Sequence, residues 1–405
     1  MKNKFKAIVI FFILSLIILS TKIIAQTNLN GQQYTNTSII IITNNISFGH
    51  GFSITSYNGL VYIYYTEPTS VATIINGLVF NGTEKMDAPL PNFNDLGESR
   101  PALVELNNGS LMMLWAGIPI GYYSLYNLTI LLQASILNNN VWGPVINLTN
   151  NGVALGYASD GNYIYLVYEP TISITYNDTI LEELTLSGNV IKSLNIPGII
   201  GIVAANNGLV VVEFSNVTYA LVNMNNGNIE FVNATNIGFV GNSLYQFYNG
   251  VLTINGNQNL TFNLPIYESA FPISWNNGYI IIAWRPGLLS VYYWNSTELQ
   301  PIVNFTAQFT IIPKATILNN NLYLAWFGLN NISNSQGSIY MAITPLPHQI
   351  SQYTNKTTTN NTSNTSSYNS VPSTNTTSNK SLFSSILILV IIIIVVSVVA
   401  FVILY

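Results

Sequence analysis

No cysteine occurs in the 405-residue chain, so neither a disulfide framework nor a thiolate metal centre is available to it. Histidine is nearly as scarce. With only His50 and His348, a His/Cys metal site is excluded, and no cofactor is implied. Charged residues make up 6% of the chain, and Lys and Arg nowhere gather into a basic patch, which removes nucleic acid as a partner. A Gly-x-Ser-x-Gly elbow, a phosphate-cradling loop and a dinucleotide fingerprint are all missing, and with them the commonest hydrolase and nucleotide-binding chemistries. Between about Thr37 and Pro347 no long segment has helical periodicity. Short β-branched and aromatic runs, broken by Gly, Asn and Pro, fill that region instead and predict an all-β fold.

The two ends read differently. Lys2, Lys4 and Lys6 precede an apolar stretch from Ala7 to Leu19 and a small residue at Ala25, the outline of a secretory signal peptide over 1–25, with an uncleaved anchor as the alternative. Ser381 to Tyr405 carries no charge, and Ile386 to Leu404 is almost wholly Ile, Leu, Val and Phe. At about 1.5 Å per residue such a helix crosses a hydrocarbon core of ~30 Å. A single transmembrane helix over 382–405 is therefore expected, with a signal exchanged for a lipid anchor as the alternative. His348 to Lys380 is dominated by Thr, Ser and Asn, cannot bury a core, and is expected to form a glycosylated stalk over 348–381. The bulk of the chain, 26–347, is then extracellular.

That region contains Asn-x-Ser/Thr acceptors at Asn36, Asn45, Asn81, Asn108, Asn127, Asn147, Asn177, Asn216, Asn233, Asn259, Asn295, Asn304 and Asn331. More crowd the stalk, at Asn355, Asn360, Asn361, Asn364, Asn375 and Asn379. Export makes them candidate glycosylation sites. The same region holds all 15 acidic residues against the five cations Lys85, Arg100, Lys192, Arg285 and Lys314. A surface built mostly from Asn, Thr, Ser and Tyr is expected to change little on acidification.

Internal repetition is the strongest organisational signal. Glu98-Ser99, Asn107-Asn108-Gly109 and Leu111 to Trp115 return as Glu268-Ser269, Asn276-Asn277-Gly278 and Ile280 to Trp284. Each copy reads as a strand, a tight turn and a second strand ending on Trp, and such a hairpin cannot bury itself alone. Variants occur at Asn58-Gly59, Asp160-Gly161, Asn207-Gly208 and Asn319 to Asn321, with a degenerate copy between Asn242 and Gly250. A second element, Pro144 to Thr149, matches Pro301 to Thr306 and reads as an outer strand. The complete unit is a four-stranded meander: Pro101 to Leu106, Leu111 to Trp115, Asn127 to Leu137, Val141 to Thr149. Repeated radially, it makes a β-propeller. Seven blades are expected, beginning near His50, Glu98, Gly152, Ile199, Ile237, Tyr267 and Ala307, or six if the short Ile237 to Pro265 unit is incomplete. The seventh lacks an outer strand of its own, and Thr37 to Ile42 is expected to supply it and close the ring.

The rhythm of a Pro-containing strand, an Asn-Asn-Gly turn, a strand ending in Trp and an outer strand such as Trp142-Gly143-Pro144-Val145 resembles the repeats of sialidase-like propellers. The resemblance covers roughly Gly49 to Thr344 and is best in the second, sixth and seventh blades. It implies the fold. Sialidase catalysis needs three arginines around the substrate carboxylate, a Tyr/Glu nucleophile pair and an acid, and sialidase repeats carry Ser-x-Asp-x-Gly-x-x-Trp boxes. The extracellular region has two arginines and no such box, so that activity is not implied. In composition the chain resembles membrane-anchored exported glycoproteins of thermoacidophilic archaea, and archaeal virus envelope proteins are similar in the same respects.

Alternating strand direction places the loop after a second strand on the same face as the entry to the first. Glu67, Glu169 and Arg285 follow second strands, while His50, Glu98, Arg100, Glu268 and Lys314 fall at or before first strands. These eight are the candidate ligand-binding residues, and none is assigned a catalytic role. Glu182-Glu183 is expected at a solvated edge, and Trp115, Trp284 and Trp326 are expected in packing between blades. The function implied is recognition, adhesion or envelope assembly at a cell surface, with carbohydrate or another surface protein as partner. The alternatives are a tethered enzyme acting on polysaccharide or peptide, a solute-binding protein, a surface-layer anchor and a viral envelope protein.

Overall fold

The computed structural model describes residues 37–347 apart from 48–50, 71, 83, 120–128, 150–151, 171–178, 197, 215, 257–258, 306–309 and 332–335. The expected signal peptide (1–25), stalk (348–381) and transmembrane helix (382–405) lie outside the described residues.

Among the described residues twenty-nine strands form seven antiparallel sheets, a seven-blade β-propeller. Blade one comprises β2 (Phe52–Tyr57), β3 (Leu60–Pro68), β4 (Thr73–Asn81) and β5 (Glu84–Asp87). Blade two has β6 (Asp95–Glu105), β7 (Leu111–Pro119), β8 (Leu131–Asn138) and a split outer strand, β9 (Val141–Trp142) and β10 (Ile146–Asn147). Blade three is β11 (Val153–Ser159), β12 (Tyr163–Glu169), β13 (Ile180–Thr185) and β14 (Val190–Asn195). Blade four is β15 (Ile199–Asn206), β16 (Leu209–Phe214), β17 (Tyr219–Asn223) and β18 (Ile229–Val232). Blade five is β19 (Asn236–Val240), β20 (Ser243–Tyr248), β21 (Val251–Asn255) and β22 (Leu260–Asn263). Blade six is β23 (Ser269–Trp275), β24 (Gly278–Arg285), β25 (Leu288–Trp294) and β26 (Leu299–Phe305). Blade seven is β27 (Thr310–Leu318), β28 (Asn321–Asn331) and β29 (Gln336–Pro345), completed by β1 (Ser38–Ser47).

The closing strand is the one expected from the sequence, starting one residue later than Thr37 and running on past Ile42 to Ser47. Ser38 pairs with Ile343 and Ile41 with Tyr340 before two bulges, and β2 lies against both β6 and β27. The short fifth unit is a complete four-stranded sheet, which settles seven blades over six.

Burial explains the sequence pattern. Second strands are sandwiched between neighbouring blades and covered on both faces, so they read as unbroken apolar runs: Leu111 to Gly117 and Ile280 to Ala283 are wholly buried. Outer strands meet solvent, and all four residues of β5 are exposed. Two boundaries differ from expectation. The third strand of blade two begins at Leu131, and its outer strand is broken around Gly143-Pro144, because proline has no N–H to give the ladder. The equivalent Pro301 is accommodated in β26 at a register shift.

First-to-second-strand turns all lie on one face. Asn58-Gly59 (φ 48° and 74°), Asn207-Gly208 (49° and 76°) and Asn319-Asn320 (50° and 58°) have positive φ at both central residues, the turn whose twist suits two-residue hairpins. Asn tolerates that region better than any residue except Gly, so the Asn-rich composition is in part a turn requirement.

Candidate functional site

Seven of the eight candidates lie among the described residues, and they are used individually. His50 lies outside the described residues. Glu67, near the end of β3, is held at both oxygens: Oε1 accepts from Thr43 Oγ1 at 2.6 Å and Oε2 from Asn76 Nδ2 at 2.6 Å. It therefore ties the closing strand β1 to blade one. Arg100 is exposed with φ 55°, and its Nη1 donates to the Leu155 carbonyl at 2.9 Å, joining blades two and three. Tyr157 reinforces that link by donating its hydroxyl to the Arg100 carbonyl. Lys314 sits in the middle of β27, opposite Ala325, rather than at the strand's start. Its Nζ donates to the Phe52 carbonyl at 2.6 Å and lies 5.6 Å from the Phe52 ring centre, while burial lowers its pKa to about 8. Glu169 is buried, its Oε1 has no hydrogen-bond partner among the described residues, and burial raises its pKa. Glu268 and Arg285 are exposed. Among the described residues no hydrogen bond or ion pair joins any two of the eight.

Glu98 is buried at 6% exposure, and sequence reasoning missed its neighbours. Burial first, then the nearby Asp95 charge, push its carboxyl up to about 7, opposed by the N–H groups of Ile75 and of Glu98 itself. Asp95 accepts from Gln133 Nε2 at 3.1 Å and Trp115 Nε1 at 3.3 Å; Gln133 Nε2 also donates to Asn147 Oδ1 at 2.8 Å. A carboxyl near neutral pKa is suited to acid chemistry. Here the Ile75 amide of blade one takes it, which makes it part of the seam between blades. No group of three or more His, Asp or Glu suited to a metal occurs among the described residues.

Glu182 and Glu183 are not at a solvated edge. Both are buried in β13, which is an inner strand flanked by β12 and β14 and not the edge of the blade, with Tyr168 donating to Glu182 at 3.1 Å and Lys192 opposite Glu183. Trp115 and Trp326 pack in apolar clusters spanning blades one and two and blades six and seven, and half-buried Trp284 lies edge-on to Phe271.

The opposite face, carrying the turns, holds features the sequence did not advertise. Asn107 Nδ2 donates to Asn162 Oδ1 at 2.6 Å, the Asn207 N–H to Asp160 Oδ2 at 3.1 Å and Asn206 Nδ2 to the Gly241 carbonyl at 3.0 Å. Neighbouring turns from blade two to blade five are thus laced together. Between the turns of blades five and six opens a cleft of about 530 Å³, edged by Asn242, Ser274, Asn276, Asn277 and Ser296. Tyr279 and Trp294 stack along it, ring centres 5.7 Å apart and planes 20° apart. A Cβ at Gly278 would collide with the Trp294 carbonyl, so only glycine permits the close strand approach there. Each turn reads as ordinary in isolation, and only blade packing brings two of them together.

Of the acceptor asparagines, Asn81, Asn108, Asn147, Asn216, Asn233, Asn259 and Asn304 are exposed and Asn295 is half-buried. Asn295 Oδ1 accepts from the Thr297 N–H, Thr297 Oγ1 and the Glu298 N–H.

No family model matches the chain, and no curated protein does. Solved structures similar to it include a protein of unknown function from Dyadobacter fermentans, with TM-score 0.42 and 11% identity over 79% of this chain and all of that one. U3-55K has TM-score 0.44 and 9% identity over 78% of this chain and all of that one. The CNH domain of AfRom2 has TM-score 0.37 and 10% identity over 77% of this chain and all of that one. The seven-blade assignment rests on this chain's own strand pairing.

Proposed function

We propose that the chain is a membrane-anchored, exported glycoprotein whose propeller serves recognition, adhesion or envelope assembly at a surface. A propeller is consistent with a binding domain, and one observation carries the non-catalytic reading. Four of the charged candidates on the loop face are spent on architecture: Glu67 on β1 and β4, Arg100 on the Leu155 carbonyl, Lys314 on the Phe52 carbonyl, Glu98 within a seam. The exposed acceptor asparagines and the apolar C-terminal run support export and anchorage. The reading as a tethered enzyme draws on the raised pKa of Glu98 beside Asp95, but burial at 6% exposure keeps that carboxyl from a bulky substrate.

Membrane fractionation of the full chain, expressed with its leader in a host that glycosylates exported proteins, tests the proposal. The protein is expected in the membrane pellet, released by detergent and not by alkaline carbonate, and heavier than the 44.6 kDa of the polypeptide. A soluble chain at polypeptide mass overturns it.

A further inference from the structure

We infer that the cleft between blades five and six binds an uncharged glycan. The inference rests on the recognition reading and gives it a place and a ligand class. The cleft, at about 530 Å³, lies within the usual range for small-molecule sites. Its polar groups are amides and hydroxyls: Asn242, Asn276 and Asn277 each offer a donor and an acceptor, Ser274 offers both from one oxygen, and Ser296 keeps its oxygen as an acceptor. Sugar hydroxyls need that combination. The side-chain amides of Asn276 and Asn277 make no hydrogen bond among the described residues, while the Ser296 hydroxyl is anchored on the Asn277 carbonyl at 2.7 Å.

The stacked Tyr279 and Trp294 supply the apolar complement, since the C–H faces of a pyranose pack against aromatic surfaces. Among the described residues no Asp, Glu, Lys, Arg or His lines the cleft, although the region 26–347 carries 15 carboxylates. A charged ligand would therefore lack a counter-charge here, and a neutral one loses nothing. The close strand approach at Gly278 fixes the aromatic wall before any ligand arrives, which lowers the ordering cost of binding.

Two acceptor asparagines flank the cleft. Asn259 precedes Leu260 and Asn295 precedes Ser296, both lining residues. The glycan thus has two possible sources of one chemistry, a chain attached to this protein or one carried by another molecule.

Calorimetric titration of the full chain, solubilised in a detergent without a sugar headgroup, with maltotriose, mannotriose and chitotriose separates them. The Asn259→Gln/Asn295→Gln protein is expected to bind at least one of the three, equally in about 50 mM and about 500 mM salt because no charge pairing is involved. Ser274→Trp, which fills the cleft from an exposed position, is expected to weaken binding at least tenfold. Asn277→Ala, which removes an unbonded side chain, is expected to weaken it severalfold with no change in Tm. Binding by the Asn259→Gln/Asn295→Gln variant alone assigns the cleft to a glycan attached at its own edge; equal binding by wild type assigns it to a foreign one. Absence of binding to all three sugars overturns the inference, as does binding that survives both cleft substitutions. Binding that survives them and is lost in Arg285→Ala overturns it while leaving the recognition reading intact on the loop face.

Discussion

Glu98 shows how little a side chain's identity says about its role until its neighbours are known. Its carboxyl, raised to about 7 by burial and by Asp95, binds a proton more tightly in the folded chain than in the unfolded one, whose value is near 4.5. The stabilisation is fully present below about 4.5 and is lost as pH rises through 7. Burial also raises the carboxyls of Asp95, Glu169, Glu182, Glu183 and Glu213, so these groups act with the same sign. The sequence suggested a surface indifferent to acid. The structure shows an interior that prefers it. Glu98→Gln keeps a carbonyl oxygen for the Ile75 amide and removes the charge. Urea unfolding is expected to show the wild type less stable at pH 8 than at pH 4.5, and the variant to recover up to about 3 kcal/mol of that difference. An unchanged pH dependence in the variant would remove Glu98 from this role.

At the scale of hairpins, the Asn-rich turns do two jobs. They supply positive φ, and they bond to the next blade. Asn207 combines both, with φ 49°, its N–H on Asp160 Oδ2 and its side chain 3.4 Å from Asn242 Oδ1. Asn207→Ala is expected to cost about 1 to 2 kcal/mol in urea midpoint analysis, because alanine pays the left-handed penalty. Asn207→Gly is expected to cost less than half as much, since it retains both the conformation and the N–H. Equal losses would assign the cost to the side-chain contact instead. These turns are also why the blades were legible in the sequence: the turns at Asn58-Gly59, Asn107 to Gly109, Asn207-Gly208 and Asn276 to Gly278 each lead into the unbroken apolar run of a second strand. Third and outer strands were less legible, since Leu131 as a start and the break at Pro144 depend on pairing with strands already placed. The burial of Glu182 and Glu183, the seam position of Glu98 and the cleft beside Trp294 depend on contacts between elements, which no local pattern encodes.

Across the whole ring the seams are unequal. Apolar clusters fill those between blades seven and one, one and two, two and three, three and four, five and six, and six and seven. Among the described residues no such cluster spans blades four and five, where Asn206 bonds the Gly241 carbonyl and Asn207 approaches Asn242. Blade five also has short strands, with β19 and β21 of five residues each and β22 of four. Local opening follows from few apolar contacts. Hydrogen exchange is expected to show β19 to β22 losing protection before β24 or β28, and protection equal to theirs would contradict the ranking. A quite different consequence follows from β1, and it concerns time. Ser38 finds its partner in Ile343, so the first strand of the propeller to be synthesised is the last to be paired. Until β29 exists, Ile39 to Ile42 form an apolar segment with no ladder to join, the kind of edge that invites association between chains. A chain halted before Gln336 would carry that liability permanently. Completion of the ring and protection of its earliest strand are therefore a single event, reached only when the final strand has been made.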